Sequence, residues 1–152
     1  MLISTALQSP RLSLRPVIPA DLPIFYEQQL DPLATQMADF PSRSRAAFMA
    51  HWAKILQDES VLLRAVVEEG QVAGNIASFM MEEHREVGYW FGREYWGKGL
   101  ATRALAAFLE IETRRPLYGY VAKHNSASRR VLEKCGFELE SELDTELAFR
   151  LS

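Results

Sequence analysis

Two apolar, β-branched-rich runs, Val61 to Glu68 and Gln71 to Met81, are separated only by Glu69-Gly70. A two-residue link of this kind joins antiparallel neighbours, so the middle of the chain predicts a long hairpin. Arg85 to Phe91 reads as a further strand. Leu100 to Arg114 is then helical, because Ala101, Ala104, Leu105 and Phe108 share one face and Pro116 closes the pattern just after Arg114 and Arg115. Leu117 to Val121 returns to strand character. The late strand–helix–strand unit requires a parallel pair while the hairpins require antiparallel ones, so the sheet must be mixed.

The flanking segments complete this frame. Arg11-Leu12-Ser13-Leu14-Arg15-Pro16-Val17 alternates polar and apolar residues and predicts a half-buried strand that ends near its proline. A helical pattern opens at Pro19, Ala20 and Asp21 and runs through Gln29; a second runs from Arg45 to Gln57, with Phe48, Trp52, Ile55 and Leu56 on one stripe. Ser126 to Cys135 is a short helix stopped by Gly136, and strands over about Phe137 to Ser141 and Glu146 to Leu151 finish the chain. The order β-α-α-β-β-β-α-β-α-β-β describes an α/β (α+β) fold, a mixed, mostly antiparallel central sheet flanked by helices. Residues 1–152 show no linker, repeat or low-complexity tract, which predicts a single domain.

Charge and composition exclude several classes. With a net charge of −3 and a sequence pI near 5.7, the chain lacks the overall positive field that drives nucleic-acid binding, and an anionic ligand would have to be held locally. Apolar stretches such as Val61 to Val67 fall far short of the roughly 20 residues of a spanning helix, so no membrane association is expected. The lone cysteine, Cys135, has no partner for an internal disulfide, and the N-terminus lacks a secretory pattern; a reducing cytoplasm is the expected compartment. His51, His84 and His124 show no ligand spacing, so no metal is expected.

Tyr95-Trp96-Gly97-Lys98-Gly99-Leu100-Ala101-Thr102 places two glycines between a predicted strand and a predicted helix. Glycines let the backbone turn its N–H groups toward an anion, and the helix start adds unpaired donors at its positive dipole end. An ordinary tight turn is the bland alternative. Gly92, Gly97 and Lys98 also fit the first seven places of G-x-x-x-x-G-K-[ST], but the eighth place, which must offer Mg²⁺ a hydroxyl, is Gly99. Gly97 and Gly99 are not followed by the third glycine of a dinucleotide fingerprint.

Downstream, His124-Asn125-Ser126-Ala127-Ser128-Arg129-Arg130-Val131-Leu132 opens a helix after a strand, with Asn125 as a ready N-cap. Alone this motif is structural. Paired with the glycine loop, it resembles the two signatures of GNAT superfamily acyl-coenzyme A N-acyltransferases, in the flavour of the RimJ/RimL-like branch. The resemblance extends from the Arg-Leu-x-Leu-Arg strand through Glu86-Val87-Gly88-Tyr89-Trp90 to the Asn125 segment. It implies a pyrophosphate loop of pattern Gln/Arg-x-x-Gly-x-Gly/Ala, with Gly99 and Ala101 at its small positions and Trp96 where Gln or Arg is usual. It further implies acetyl-coenzyme A as co-substrate, held by Tyr89, Trp90 and Phe91, by Gly97, Lys98, Gly99, Leu100, Ala101 and Thr102, and by Asn125, Ser128 and Arg130.

Many members carry, seven residues after the asparagine, a tyrosine that protonates the departing thiolate; Leu132 stands there, which turns attention to Ser128. Glu86 is the matching candidate for deprotonating the acceptor amine, through water. The oxyanion donor implied by the family is a backbone N–H between Gly88 and Phe91. Cys135 reads as packing. Arg129 reads as solvated, as Arg130 also does in the bland alternative to the phosphate contact above. The expected activity is acetyl transfer to a primary amine, a protein N-terminus or a small molecule, by a monomer or homodimer. A non-catalytic acyl-coenzyme A sensor is the second class, and a P-loop nucleotide binder the third.

Overall fold

In the computed structural model, which describes residues 11–152, the hairpin forms as its link dictates. Strands β2 (Leu62–Glu68) and β3 (Gln71–Met81) pair antiparallel, and Glu69 and Gly70 both take positive φ, 50° and 80°. Two consecutive positive φ values match the right-handed twist of the strands they join. Strand β4 (His84–Phe91) returns along β3 from Met81↔His84 to Gly74↔Phe91, and β1 (Leu12–Arg15) lies antiparallel on the other side of β2. With β5 (Leu117–Ala122), β6 (Glu138–Glu142) and β7 (Glu146–Leu151), the sheet has seven strands in the order β1-β2-β3-β4-β5-β7-β6. The parallel pair required by the strand–helix–strand unit is β4 and β5, and β7 inserts antiparallel between β5 and β6.

Helices cover both faces. A 3-10 turn (Pro19–Asp21) leads into α1 (Leu22–Gln29), followed by α2 (Pro32–Ala38) and α3 (Arg45–Gln57). Helices α4 (Leu100–Ile111) and α5 (Ser126–Lys134) lie later. Alternation along the strands divides the core: Ala65 packs with Phe25, Phe48 and Trp52 of α1 and α3, while its neighbour Val66 joins Val87, Phe91, Leu105 and Phe108 on the α4 face. Phe25 and Phe48 place their ring centroids 5.1 and 5.7 Å from Trp52.

Two expectations need correction. Three helices, not two, precede the main sheet: α2 was absent from the predicted order because its seven residues carry little periodicity. Its start is chemical instead, with Asp31 Oδ1 accepting from Leu33 N–H at 3.0 Å, Pro32 in the first turn, and Asp39 in the left-handed region ending it. Helix α4 also stops at Ile111 rather than Arg114. The next residue, Glu112, is 1% exposed and takes hydrogen bonds from Ser78 Oγ, from Arg114 N–H and Nε at 3.0 Å, and from Arg114 Nη2 at 2.8 Å. A buried carboxylate must be satisfied in this way, and the backbone leaves the helix to do it.

Candidate active site

Strands β4 and β5 meet at a single registered pair, Glu86↔Tyr118. Beyond it no ladder joins them, so the edge of β4 that faces β5 carries backbone groups without a strand partner. A cavity of about 460 Å³ opens there, lined by Val87 to Phe91 of β4 and Gly119 to Ala122 of β5. The start of α4 and the first turns of α5 wall one side. Ala34, Met37 and Ala38 of α2 wall the other.

The glycine loop forms the entrance to α4. Gly97 and Gly99 have φ of 74° and 76°, and a Cβ built at either meets nothing within 4 Å, so glycine is required by backbone conformation rather than by space. Gly99 is the N-cap, with no side-chain cap, and the first ladder bond runs from Arg103 N–H to Gly99 O at 3.1 Å. The N–H groups of Leu100, Ala101 and Thr102 therefore precede the ladder, at the positive end of the helix dipole, and all three residues line the cavity. Trp96 Nε1 donates to Phe91 O at 3.1 Å and ties the loop to the end of β4. That is the work of the tryptophan at the position where Gln or Arg is usual. Arg130 and Lys134 of α5 line the same cavity.

On α5, Asn125 caps the helix by accepting from Ser128 N–H at 3.1 Å, which fixes the first turn against the cavity. Ser128 Oγ lies 2.7 Å from the Tyr89 hydroxyl. Burial pushes the Tyr89 phenol up to about 12, against a smaller lowering by the Ser128 hydrogen bond. Leu132 is buried, and a Cβ at Gly119 would come within 2.9 Å of its Cδ2, so strand and helix are fitted to each other at that point.

Of the residues expected from the sequence, Tyr89, Trp90, Phe91, Gly97, Gly99, Leu100, Ala101, Thr102, Asn125, Ser128 and Arg130 all line the one cavity. Lys98 does not; it borders a separate, smaller depression beside Glu68 and Glu69. Arg129 pairs with Glu133 at 3.3 Å. Cys135 packs its Sγ 3.6 Å from Thr102 O, and burial raises its thiol pKa, in keeping with a packing role. Glu86 lies outside the lining, at the pair where β4 and β5 meet. It stands three positions before Tyr89, so strand alternation puts it on the opposite face of β4 from the Tyr89–Ser128 pair. Burial, then the nearby Glu146, raises the Glu86 carboxyl, against a lowering by His84. Sequence reasoning missed the α2 wall and the Tyr89–Ser128 contact. The Asp31-Pro32 cap was a readable signal for the first; none existed for the second.

The acetyltransferase (GNAT) domain model matches residues 11–138. The chain belongs to the GNAT acetyltransferase family. Solved GNAT-type acetyltransferases share its fold at low identity. An aminoglycoside acetyltransferase in complex with coenzyme A is 20% identical, with TM-score 0.78 over 92% of this chain and 93% of that one. Spermidine N-acetyltransferase from Vibrio cholerae, in complex with coenzyme A and spermine, is 19% identical, with TM-score 0.77 over 91% and 92%. RimL, the ribosomal L7/L12 alpha-N-protein acetyltransferase, in complex with coenzyme A, is 19% identical, with TM-score 0.77 over 93% of each chain. No curated protein matches in sequence. The family assignment makes the partial P-loop match a coincidence of spacing: Gly92 follows β4 and caps the 3-10 turn Arg93–Tyr95, which separates it from Gly97. Among the described residues, no helix is long and apolar enough to cross a membrane.

Proposed function

We propose that this GNAT protein is an N-acetyltransferase that moves the acetyl group of acetyl-coenzyme A to a primary amine, within a single domain spanning residues 1–152. The observation that carries the proposal is the opening between β4 and β5, whose cavity runs from the glycine loop to the wall formed by α2. A donor held on the α4–α5 face and an acceptor entering beside α2 would meet at the unpaired edge of β4.

In this reading the N–H groups of Leu100, Ala101 and Thr102, with Arg130, hold the coenzyme diphosphate, and Asn125 borders the pantetheine arm. A backbone N–H between Gly88 and Phe91 supports the oxyanion. Glu86 draws the proton from the acceptor through water, and Ser128 faces the leaving thiolate. An α-amino group, with a reference pKa near 8, is partly neutral at working pH and needs less help than a lysine amine near 10.4. A protein N-terminus or a small-molecule amine of similar basicity is therefore the easier acceptor. The resemblance of the glycine loop and the Asn125 segment is the ground for a place in the RimJ/RimL-like branch. A cytoplasmic monomer or homodimer without a metal is the simplest working form.

The test is thiol release from acetyl-coenzyme A against a panel of peptides with free N-termini, polyamines and aminoglycosides. Acetylation of at least one acceptor, matched by equal thiol, supports the proposal. Coenzyme binding with no thiol released on any acceptor would instead make the protein an acyl-coenzyme A sensor.

A further inference from the structure

One cavity contact has no assignment in the transfer scheme: the Tyr89 hydroxyl, 2.7 Å from Ser128 Oγ. A serine in the first turn of a helix ordinarily satisfies its hydroxyl on a nearby backbone carbonyl. Ser128 instead reaches across to a strand. The contact is over-determined from both ends, because Asn125 Oδ1 fixes the Ser128 N–H and the Tyr89 ring packs 5.6 Å from that of Phe91, centroid to centroid. Both residues line the cavity. Each hydroxyl carries one hydrogen, so if Tyr89 donates to Ser128 Oγ, the Ser128 hydrogen is left to point elsewhere, and the cavity is the open direction.

From this geometry we infer that Tyr89 is a positioning residue: it donates to Ser128 so that the Ser128 O–H is aimed at the departing sulfur, and the two hydroxyls in series stabilise the thiolate without giving up a proton. The inference rests on the acetyl-transfer reading above. The amine nitrogen bonds to the acetyl carbon and a carbonyl electron pair moves to oxygen. That pair then re-forms the carbonyl as the C–S bond breaks, with the bonding pair going to sulfur. The nitrogen sheds its proton to water, and the thiolate takes one from water after leaving, so neither hydroxyl need change its protonation state. A true proton donation would leave a phenolate in a buried site, and the Tyr89 phenol, pushed up to about 12, resists that. Hydrogen bonds in series polarise each other, so the outer hydroxyl strengthens the inner one as charge develops on sulfur.

The test is a double-mutant cycle on the full chain with an acceptor that the native protein turns over. Tyr89→Phe keeps the ring and removes only the hydroxyl; Ser128→Ala removes the inner hydroxyl. Each single variant should lose about 10- to 10²-fold in kcat, with KM for acetyl-coenzyme A unchanged. The double variant should be no worse than Ser128→Ala to within about twofold, since Tyr89 acts only through Ser128. The pH profile of Tyr89→Phe should keep both limbs of the native one. Thermal melts with coenzyme A show that each variant is folded and loaded; should Tyr89→Phe fail that check, Ser128→Thr, which restores the hydroxyl, should recover most of the Ser128→Ala loss. Losses that multiply in the double variant, a Tyr89→Phe enzyme at the native rate, an alkaline limb that vanishes with Tyr89, or no recovery by Ser128→Thr would each overturn the relay while native turnover stands. Native protein that binds coenzyme A and releases no thiol would overturn the transfer reading, and the relay with it.

Discussion

Single side chains carry roles here that depend on which face of β4 they occupy. Glu86 and Tyr89 stand three positions apart, and that odd spacing divides the proposed proton acceptor from the hydroxyl pair proposed to face the leaving group. The division suits a transfer in which the two substrates approach from opposite faces of a split sheet. Burial and then Glu146 raise the Glu86 carboxyl, His84 opposing, so it ionises at higher pH than a free glutamate, and the base role proposed for it requires a pH above that point. Glu86→Gln should lower kcat by about 10²-fold near neutral pH, with coenzyme affinity kept. The deficit should shrink as pH rises and the acceptor loses its proton in solution. Measuring kcat against pH for both forms checks this; equal rates at every pH would mean that catalysis rests on positioning and the backbone donor. The Tyr89–Ser128 contact could not be read from the chain. The residues stand 39 apart, and only the docking of α5 on β4 brings them together.

Among the elements, legibility followed how local the deciding physics is. The hairpin, the glycine loop and the cap of α5 are set by residues adjacent in sequence, and each formed where it was predicted. Helix α2 is local too, but its information lies in the Asp31 cap and Pro32 rather than in periodicity, and a reading by periodicity passed over it. The end of α4 is different in kind. Glu112 leaves the helix to meet Ser78, 34 residues earlier on β3, and no local pattern foretells that. Burial alone would raise this carboxyl, yet hydrogen bonds from Arg114 and Ser78 overcome it and hold it at about 2 against an ordinary 4.5. A depressed folded value means that the stabilisation is complete above about 4.5 and is lost as pH falls toward 2. The difference corresponds to about 3 kcal/mol. Glu112→Gln should therefore cost about that much at pH 7 and progressively less in acid. Denaturant melts of both forms at several pH values decide it; a cost that stays constant with pH would show that packing, not charge, holds the α4 end.

The whole molecule is a sheet that closes along most of its width and parts at one seam. Antiparallel ladders fix β1 to β4 and β5 to β7, while a single registered pair joins the two halves. The sequence makes the parallel seam predictable from its strand–helix–strand order. That the ladder ends after Glu86↔Tyr118 has no local signal, and neither has the close packing of Leu132 of α5 on Gly119 of β5, which belongs to tertiary structure. The loop and α2 flank the open end of this seam, where Arg93 pairs with Asp31 and His124 meets Gln36 O, and together they wall the candidate site. Ala101→Glu sets a carboxylate among the N–H groups of the loop, where a diphosphate would otherwise sit, at a position only partly buried against the core. The decisive measurement is thiol release from acetyl-coenzyme A with an amine acceptor, made in parallel on native protein and Ala101→Glu, with coenzyme-dependent melting recorded for both. The account predicts that native protein releases thiol in step with acetylated amine and gains about 2.7 kcal/mol at 100 times the coenzyme dissociation constant. Ala101→Glu should melt as the free native protein does and show neither gain nor release; full turnover by that variant would contradict the placement of the site, and native protein without turnover would contradict the transfer itself.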